Sequence, residues 1–385
     1  MLKMLTAATG EIDDREKTVQ DILAQLDLEH NLLPHSVGII HCHSDFIASD
    51  VIPMLAANLP FPSVGGTSIG LAIPGQLGRL ILTVTVLTSD DLDFAVGTTE
   101  PIGNTLNGEV RQLSTRLQTE LPSPVALLIA FLPFISSLSG NAVLEELIAG
   151  CPSTPIFGSR SICDHLNYKG IVTFCNGVTA ADSLALIAIG GPLKPQFLHT
   201  TIEKETVVIK KAMITRSNRH ILQTINNLPA LDYLTSLGLI DAKDARGIDS
   251  MPMDLTLPDG SHCTRVMVSI SEKDIICGGD MPVGSDIRFT IMDSQEVIQT
   301  AIDMAKKANL IKINSPQPRS GGIILISCAV RDWSLDMENL REMQAVASEL
   351  NVPYSFVYSS GEISPLPENP PPAHFLNVHL VACIL

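Results

Sequence analysis

The run G-G-I-I-L-I-S-C-A-V-R-D-W, residues 321–333, decides how the rest of the chain is read. Four branched aliphatic residues in succession, Ile323 to Ile326, do not alternate between core and solvent, so the segment reads as a strand covered on both faces. It ends abruptly in Ser327, Cys328, Arg331 and Asp332. A thiol and a guanidinium at the tip of a buried strand suit a catalytic pair, a ligand clamp, or ordinary loop chemistry.

Working outward, two more runs have this character: S-V-G-I-I-H-C-H-S-D-F (36–46) and V-A-L-L-I-A-F-L (125–132). Each of the three is followed by a helix. Ser49 or Asp50 is suited to cap the first, Asn141 the second with Gly150 as its stop, and the third runs over 337–350 until Asn351 and Pro353. Next comes a second strand ending in small polar residues: P-S-V-G-G-T-S-I-G (62–70), P-I-F-G-S-R-S-I-C-D (155–164) and Y-S-F-V-Y-S-S-G-E-I-S-P (354–365). A third strand closes each set, at 78–88, 183–189 and 375–385. First and second strands lie roughly 25–30 residues apart, the spacing of a β-helix-β crossover. Right-handed crossovers make those strands parallel and bring their polar tips to one sheet edge, where open α/β sheets bind ligands.

The expected fold is therefore α/β, with mixed, largely parallel sheets flanked by helices and built from repeated β-α-β-β units in two halves, residues 1–195 and 196–385. Pro192 and Pro195 mark the boundary. Between the second and third sets, E-T-V-V-I-K-K-A-M-I-T (205–215) alternates like an exposed strand, and 227–239 reads as a helix with Pro229 in its first turn. Strands at 265–271 and 287–291 are expected to pair as a hairpin, and a long helix over 297–308 leads back to the third set.

Composition removes several functions. The 385 residues carry 41 acidic and 25 basic side chains, net −16, and such a surface repels phosphate backbones and anionic lipid. Aromatics make up only 4%, too few for base-stacking platforms. Eight cysteines without a C-x-x-C pair, mostly inside apolar runs, read as reduced thiols of a cytoplasmic protein. The first residues, M-L-K-M-L-T-A-A-T-G-E-I-D-D, have too short an apolar stretch for a secretory signal. The most membrane-like segment, 124–138, is interrupted by Pro133 and reads as a buried strand.

Several motifs invite chemistry. His41-Cys42-His43 resembles a metal cluster, but in a strand the two histidines share one face and Cys42 points to the other, so no metal is expected. Gly65-Gly66-Thr67-Ser68-Ile69-Gly70 lacks both G-x-G-x-x-G and G-K-[ST], so a tight strand-to-strand turn is expected rather than a nucleotide cradle, and no cofactor. Glu109, Glu120, Glu145, Glu146 and Glu205 sit in polar patterns of solvated faces. As a nucleophile Cys328 needs a base, for which His374 or His379 is available, although a thiol at the end of a buried strand also serves as a small hydrophobe. Arg331 and Glu362 fall just past equivalent strand ends. There they offer a fork for a carboxylate and an acceptor for an ammonium, or else pair with each other.

At these positions the sequence resembles the FIST (F-box and intracellular signal transduction) proteins. The resemblance rests on Arg265 opening a strand, Pro282-x-Gly284, Ser327-Cys328-x-x-Arg331, Glu342 on the following helix, Gly361-Glu362-Ile363-Ser364-Pro365, and Asn377. The segment P-A-L-D-Y-L-T-S-L-G (229–238) is similar to the family's joining segment. Gly66-Thr67-Ser68 stands where the family usually has a Cys before its serines, and Ser364 where it has a Gly. The resemblance implies a stand-alone, non-enzymatic sensory module that binds a small, amino-acid-like ligand and passes its output to a separate signalling protein. Its expected ligand-binding residues are Cys328, Arg331, Ser359, Ser360, Gly361, Glu362 and Asn377, with Thr67, Ser68, Ser159 and Arg160 from the equivalent turns. The alternatives are a thiol-dependent enzyme using Cys328, and a protein scaffold without a small ligand.

Overall fold

The computed structural model describes residues 1–164, 170–202, 211–240, 251–315, 321–335, 340–366 and 369–385. Glu205, the first part of the 205–215 stretch, and the opening turn expected for the third helix lie outside them.

The three apolar runs are strands His35–Cys42, Val125–Leu132 and Ile323–Cys328. The crossover helices Val51–Asn58, Gly140–Gly150 and Arg341–Glu349 follow. In each case the strand after the helix returns parallel: Ser63–Thr67, Ile156–Arg160 and Tyr354–Ser359. On the other flank of each first strand lies an antiparallel one: Leu82–Ser89, Ala185–Gly190 and Leu380–Ile384.

The expected predominance of parallel pairing is not what is found. Those three are the parallel strand pairs among the described residues, and the other strand pairings are antiparallel. Only a helix-containing connection has the length to return the chain to the same end of a sheet, and the shorter connections bring strands in from the opposite end.

Nor are the three sets self-contained. After its second strand the chain leaves its own sheet each time. Leu71–Ile73 and Gln76–Gly78, following Ser63–Thr67, add to the edge of Tyr354–Ser359. Thr173–Cys175 and Val178–Ala180, following Ile156–Arg160, add to Ser63–Thr67. Glu362–Leu366 and Asn369–Leu376, following Tyr354–Ser359, add to Ile156–Arg160. Three sheets thus exchange edge strands in a cycle, and their apolar faces pack together through Ile39, Ile129, Phe157, Ile326 and Val381.

The region between the second and third sets closes into a six-stranded antiparallel barrel. Its strands run Lys211–Asn218, Asp286–Phe289, Pro252–Thr256, His262–Ser271, Asp274–Cys277 and Ile221–Ile225, with the last paired back to the first. The expected hairpin is corrected here. His262–Ser271 turns at Glu272, which has φ +56, straight into Asp274–Cys277, whereas Asp286–Phe289 lies between two other strands. Closure leaves no unpaired edge on a strand set that is otherwise half exposed. The long helix Ser294–Ile313, capped by Asp293 on the Gln295 N–H, connects the barrel to the third set.

Two local expectations change for identifiable reasons. Ser139, not Asn141, caps the Gly140–Gly150 helix, because the Asn141 Oδ1 instead accepts from the Asp280 N–H of the barrel at 2.9 Å. Gly65 and Gly66 lie within a strand, not a turn. A Cβ on Gly65 would overlap the Ile40 carbonyl of the parallel neighbour, and one on Gly158 would overlap the Ala130 carbonyl in the same way.

Gly158→Ala is therefore expected to lower the unfolding free energy by about 1–3 kcal/mol through overpacking. Gly103→Ala, where a Cβ meets nothing within 4 Å, should change it by less than about 0.5 kcal/mol. Urea denaturation of the two variants makes the comparison, and equal effects would contradict the close approach at Gly158.

Candidate functional site

The small polar residues picked out by the sequence are the places where the chain passes from one sheet to the next, and the three passages bond to one another. Ile162 N donates to Thr67 O at 3.1 Å, and Tyr358 N to Gly70 O at 3.1 Å. Arg160 N donates to Gly361 O at 2.9 Å, and Ser360 N returns a bond to Arg160 O at 3.0 Å. Side chains reinforce this. Ser68 Oγ donates to Tyr358 O (2.8 Å), Ser360 Oγ to Ser161 O (2.9 Å) and Arg160 Nε to Ser360 Oγ (2.9 Å). Thr67 Oγ1 donates to Val172 O at 3.4 Å, and Ser159 lies opposite Glu362 in the antiparallel register. Small side chains suit these positions because three backbones converge there, and their hydroxyls satisfy carbonyls that no sheet ladder reaches.

Arg331 sits in the short helix Ala329–Trp333, not a loop, and is fully buried. It does not pair with Glu362. Its Nε donates to Glu342 Oε1 at 2.7 Å, and its Nη2 to Val297 O (3.1 Å) and Thr300 Oγ1 (3.0 Å). Ser327 Oγ donates to the other Glu342 oxygen at 2.9 Å. Both partners of this ion pair are 0% exposed. Next to it, Arg79 from the first set reaches Asp332 at 3.0 Å. The Tyr358 hydroxyl stands between Glu342 and Asp332 without a well-formed bond to either. Burial, and then those two carboxylates, push its ionisation well above the ordinary range. Glu342 was legible as one of the resemblance residues, but not as a partner. The signal was there: it adjoins Met343 and precedes Val346 on the buried face of its helix, and a carboxylate on an apolar face requires a cation.

Glu362 occupies a neighbouring site at the junction of two sheets and is also fully buried. Oε1 accepts from Ser359 Oγ at 2.7 Å, Oε2 accepts a long bond from His379 N at 3.3 Å, and the Cys328 thiol lies against the carboxyl. Burial outweighs these bonds and raises its pKa to about 8. The expected anion is thus a carboxylic acid near neutral pH. Burial, and then the nearby Glu362 charge, also hold the Cys328 thiol well above its usual value. His379 is no base for it. Burial lowers the ring's pKa to about 3, Nδ1 is bonded to Asn377 O at 2.8 Å, and only its backbone carbonyl meets Cys328, accepting from the amide at 2.9 Å. His374 lies elsewhere, opposite Ser364 in its ladder.

Asn377, two residues before His379, is fully buried, and among the described residues neither its Oδ1 nor its Nδ2 has a hydrogen-bond partner. The third Arg331 nitrogen, Nη1, is likewise without one. Of the third-set residues, Cys328, Ser359 and Glu362 therefore come together, Arg331 is engaged by Glu342, and Asn377 joins them through its main-chain carbonyl on the His379 ring. Thr67, Ser68 and Arg160 act in the passages between sheets.

Among the described residues, no group of three His, Cys, Asp or Glu side chains is placed to hold a metal ion. His43 Nε2 meets Asp164 Oδ2 at 3.0 Å, while His41 lies 5.6 Å from the Phe131 ring centroid. Seven of the eight cysteines are buried and Cys263 is partly exposed. No described helix is long and apolar enough to cross a membrane.

Comparison with known proteins yields two family matches: the FIST N domain over residues 36–228 and the FIST C domain over residues 218–365. No curated protein matches the chain.

Two outcomes follow from the buried charges. Arg331→Ala strands the Glu342 carboxylate and should cost about 3–5 kcal/mol in chemical denaturation, so that variant reports on folding before it reports on binding. The folded Glu362 keeps its proton up to about 8, whereas its ordinary value is 4.5. Stability should therefore fall as pH rises from about 5 to about 8, since the unfolded chain gives up that proton and the folded one does not. Glu362→Gln should remove that slope and be the more stable protein at pH 8. Parallel slopes for the two proteins would contradict a protonated Glu362.

Proposed function

The chain belongs to the FIST family, whose domains are linked to sensing in signal transduction, and on that premise we propose that it binds a small ligand at Asn377, Glu362 and Cys328. The observation that carries this reading is the Asn377 amide, fully buried with both polar atoms unpartnered. Leaving a buried donor or acceptor unsatisfied costs about 1–3 kcal/mol per group. A folded protein keeps such a defect where a bound molecule completes it, and Arg331 Nη1 is a second buried nitrogen without a partner among the described residues.

The reading is of binding, not catalysis. Cys328 is held as a thiol, and the His379 imidazole is turned to a carbonyl, so the nucleophile lacks that base. An amino acid or related small metabolite suits a site that offers an amide and a carboxylic acid in a buried polar setting. Output then passes to a separate signalling protein. A cytoplasmic location accords with cysteines that are mostly buried in the apolar interior.

Asn377→Leu tests the reading, because it keeps the side-chain size while deleting both unsatisfied atoms. It should raise the unfolding free energy by about 1–3 kcal/mol, yet weaken calorimetrically measured binding of the best ligand from an amino-acid and metabolite panel at least tenfold. Tight binding untouched by the substitution would move the site elsewhere. Cys328 should resist iodoacetamide in the folded protein and react on denaturation, and rapid labelling of the native thiol would restore the enzyme alternative.

A further inference from the structure

The sequence points to Arg331 as the cation that meets a ligand, but the structure neutralises that charge with Glu342. A second arginine is buried nearby under different conditions. Arg265, on barrel strand His262–Ser271, is only 6% exposed. Its Nε donates to Asp280 O at 3.1 Å, and its Nη1 to Thr264 O at 3.0 Å and Phe375 O at 3.4 Å. All three acceptors are main-chain carbonyls. Its Nη2 donates to no acceptor, and no carboxylate lies within ion-pair distance of it among the described residues.

Asp280 would be the natural counter-ion, but its carboxylate is committed elsewhere. Oδ2 pairs with Arg219 Nη1 at 2.7 Å, and Oδ1 accepts from Ser139 Oγ. Arg219 in turn forks onto Glu145, at 2.8 and 2.6 Å. The barrel is thus held to the Gly140–Gly150 helix by a network that takes the acid away from Arg265. A buried guanidinium served only by carbonyls is left without a counter-ion, which favours an anion beside it.

Arg265 adjoins the candidate site. Phe375, whose carbonyl it binds, is two residues from Asn377. Gly278 passes so close to the Asn377 amide that a Cβ would lie 2.8 Å from Oδ1, and Gly279 so close to Arg265 that a Cβ would lie 2.8 Å from Nε. Val266, next along the strand, packs with Cys328, Val330 and Val378. Two glycines in a row therefore carry the barrel over an unpartnered amide and an uncompensated cation.

We propose that Arg265 is the anion anchor of this site: its Nη2 receives a carboxylate of the ligand beside the Asn377 amide, so the site selects small carboxylates over amines and neutral analogues. This rests on the reading that Asn377 faces a ligand, and it assigns the charge selectivity of that site to the barrel. Near neutral pH the remaining charges agree, since Arg331 and Glu342 cancel and Glu362 is held as the acid.

Isothermal titration at pH 7 with propionate, L-alanine, propionamide and n-propylamine separates the possibilities by charge at nearly constant size. Propionate and L-alanine should bind the wild-type protein at least tenfold more tightly than propionamide or propylamine. Arg265→Gln should lose that preference by at least tenfold, and Arg265→Lys, which keeps the charge, should recover part of it. The wild-type selectivity series stands even where a variant fails to fold. Equal binding of propionamide or propylamine, no binding of propionate, or an Arg265→Gln protein that is folded by circular dichroism and holds propionate unchanged would overturn the anchor. A neutral or cationic probe whose binding is lost in Asn377→Leu would overturn the anchor while leaving the ligand site standing.

Discussion

Three strands leave their sheets at nearly the same place, and the main-chain hydrogen bonds between those passages constrain everything around them. Thr67 O, Gly70 O, Arg160 O and Gly361 O each accept from another passage. Because the bonds run between segments far apart in sequence, no one sheet is complete until its neighbours supply an edge strand. The edge strand that finishes one sheet is the continuation of another's parallel pair. Such pairing is long-range, and loop-closure entropy is lost before its contacts form. Small side chains at the passages are the cost of bringing three backbones together, and their hydroxyls keep the buried carbonyls satisfied.

The same convergence makes a polar site in the interior. Glu362 follows its passage by one residue past Gly361, so a carboxyl that would be solvated on an ordinary sheet edge is sealed beneath the barrel. Burial then decides its chemistry: it holds its proton near neutral pH, and the adjacent Cys328 remains a thiol. The Asn377 amide is left without partners in the same neighbourhood. On the proposed reading, stability and function pull apart there, because an apolar residue at 377 would fold better and bind worse.

Much of the scaffold was legible in the residues. Unbroken Val, Ile and Leu runs such as Ile323–Ile326 and Val125–Leu132 mark strands covered on both faces, and helix-length spacers after them imply the parallel pairs. The barrel was only half legible. Its strands alternate as expected, as in Lys211–Asn218, but alternation does not name the partner, so the hairpin expected between 265–271 and 287–291 was assigned to the wrong neighbours. Capping was misread at Asn141 for a similar reason. Asn141 and Ser139 are both good caps locally, and a contact with distant Asp280 decides between them.

The candidate site divides along the same line. Ser327, Cys328, Arg331, Glu362 and Asn377 could be found from strand ends and motif resemblance, since those depend on residue type and local spacing. Their states could not. Whether Arg331 is free or neutralised depends on Glu342, eleven residues on along a helix whose rotation is set by packing. Whether Glu362 is charged depends on how thoroughly three sheets and a barrel exclude water. Residue order by itself determined the buried strands, the crossovers and the kinds of side chain at their tips, because those follow from local hydrophobic pattern and connection length. Only the tertiary structure decided which sheet each strand completes, which arginine has a carboxylate partner and which carboxyl keeps its proton, because pairing and desolvation are properties of neighbours distant in the chain.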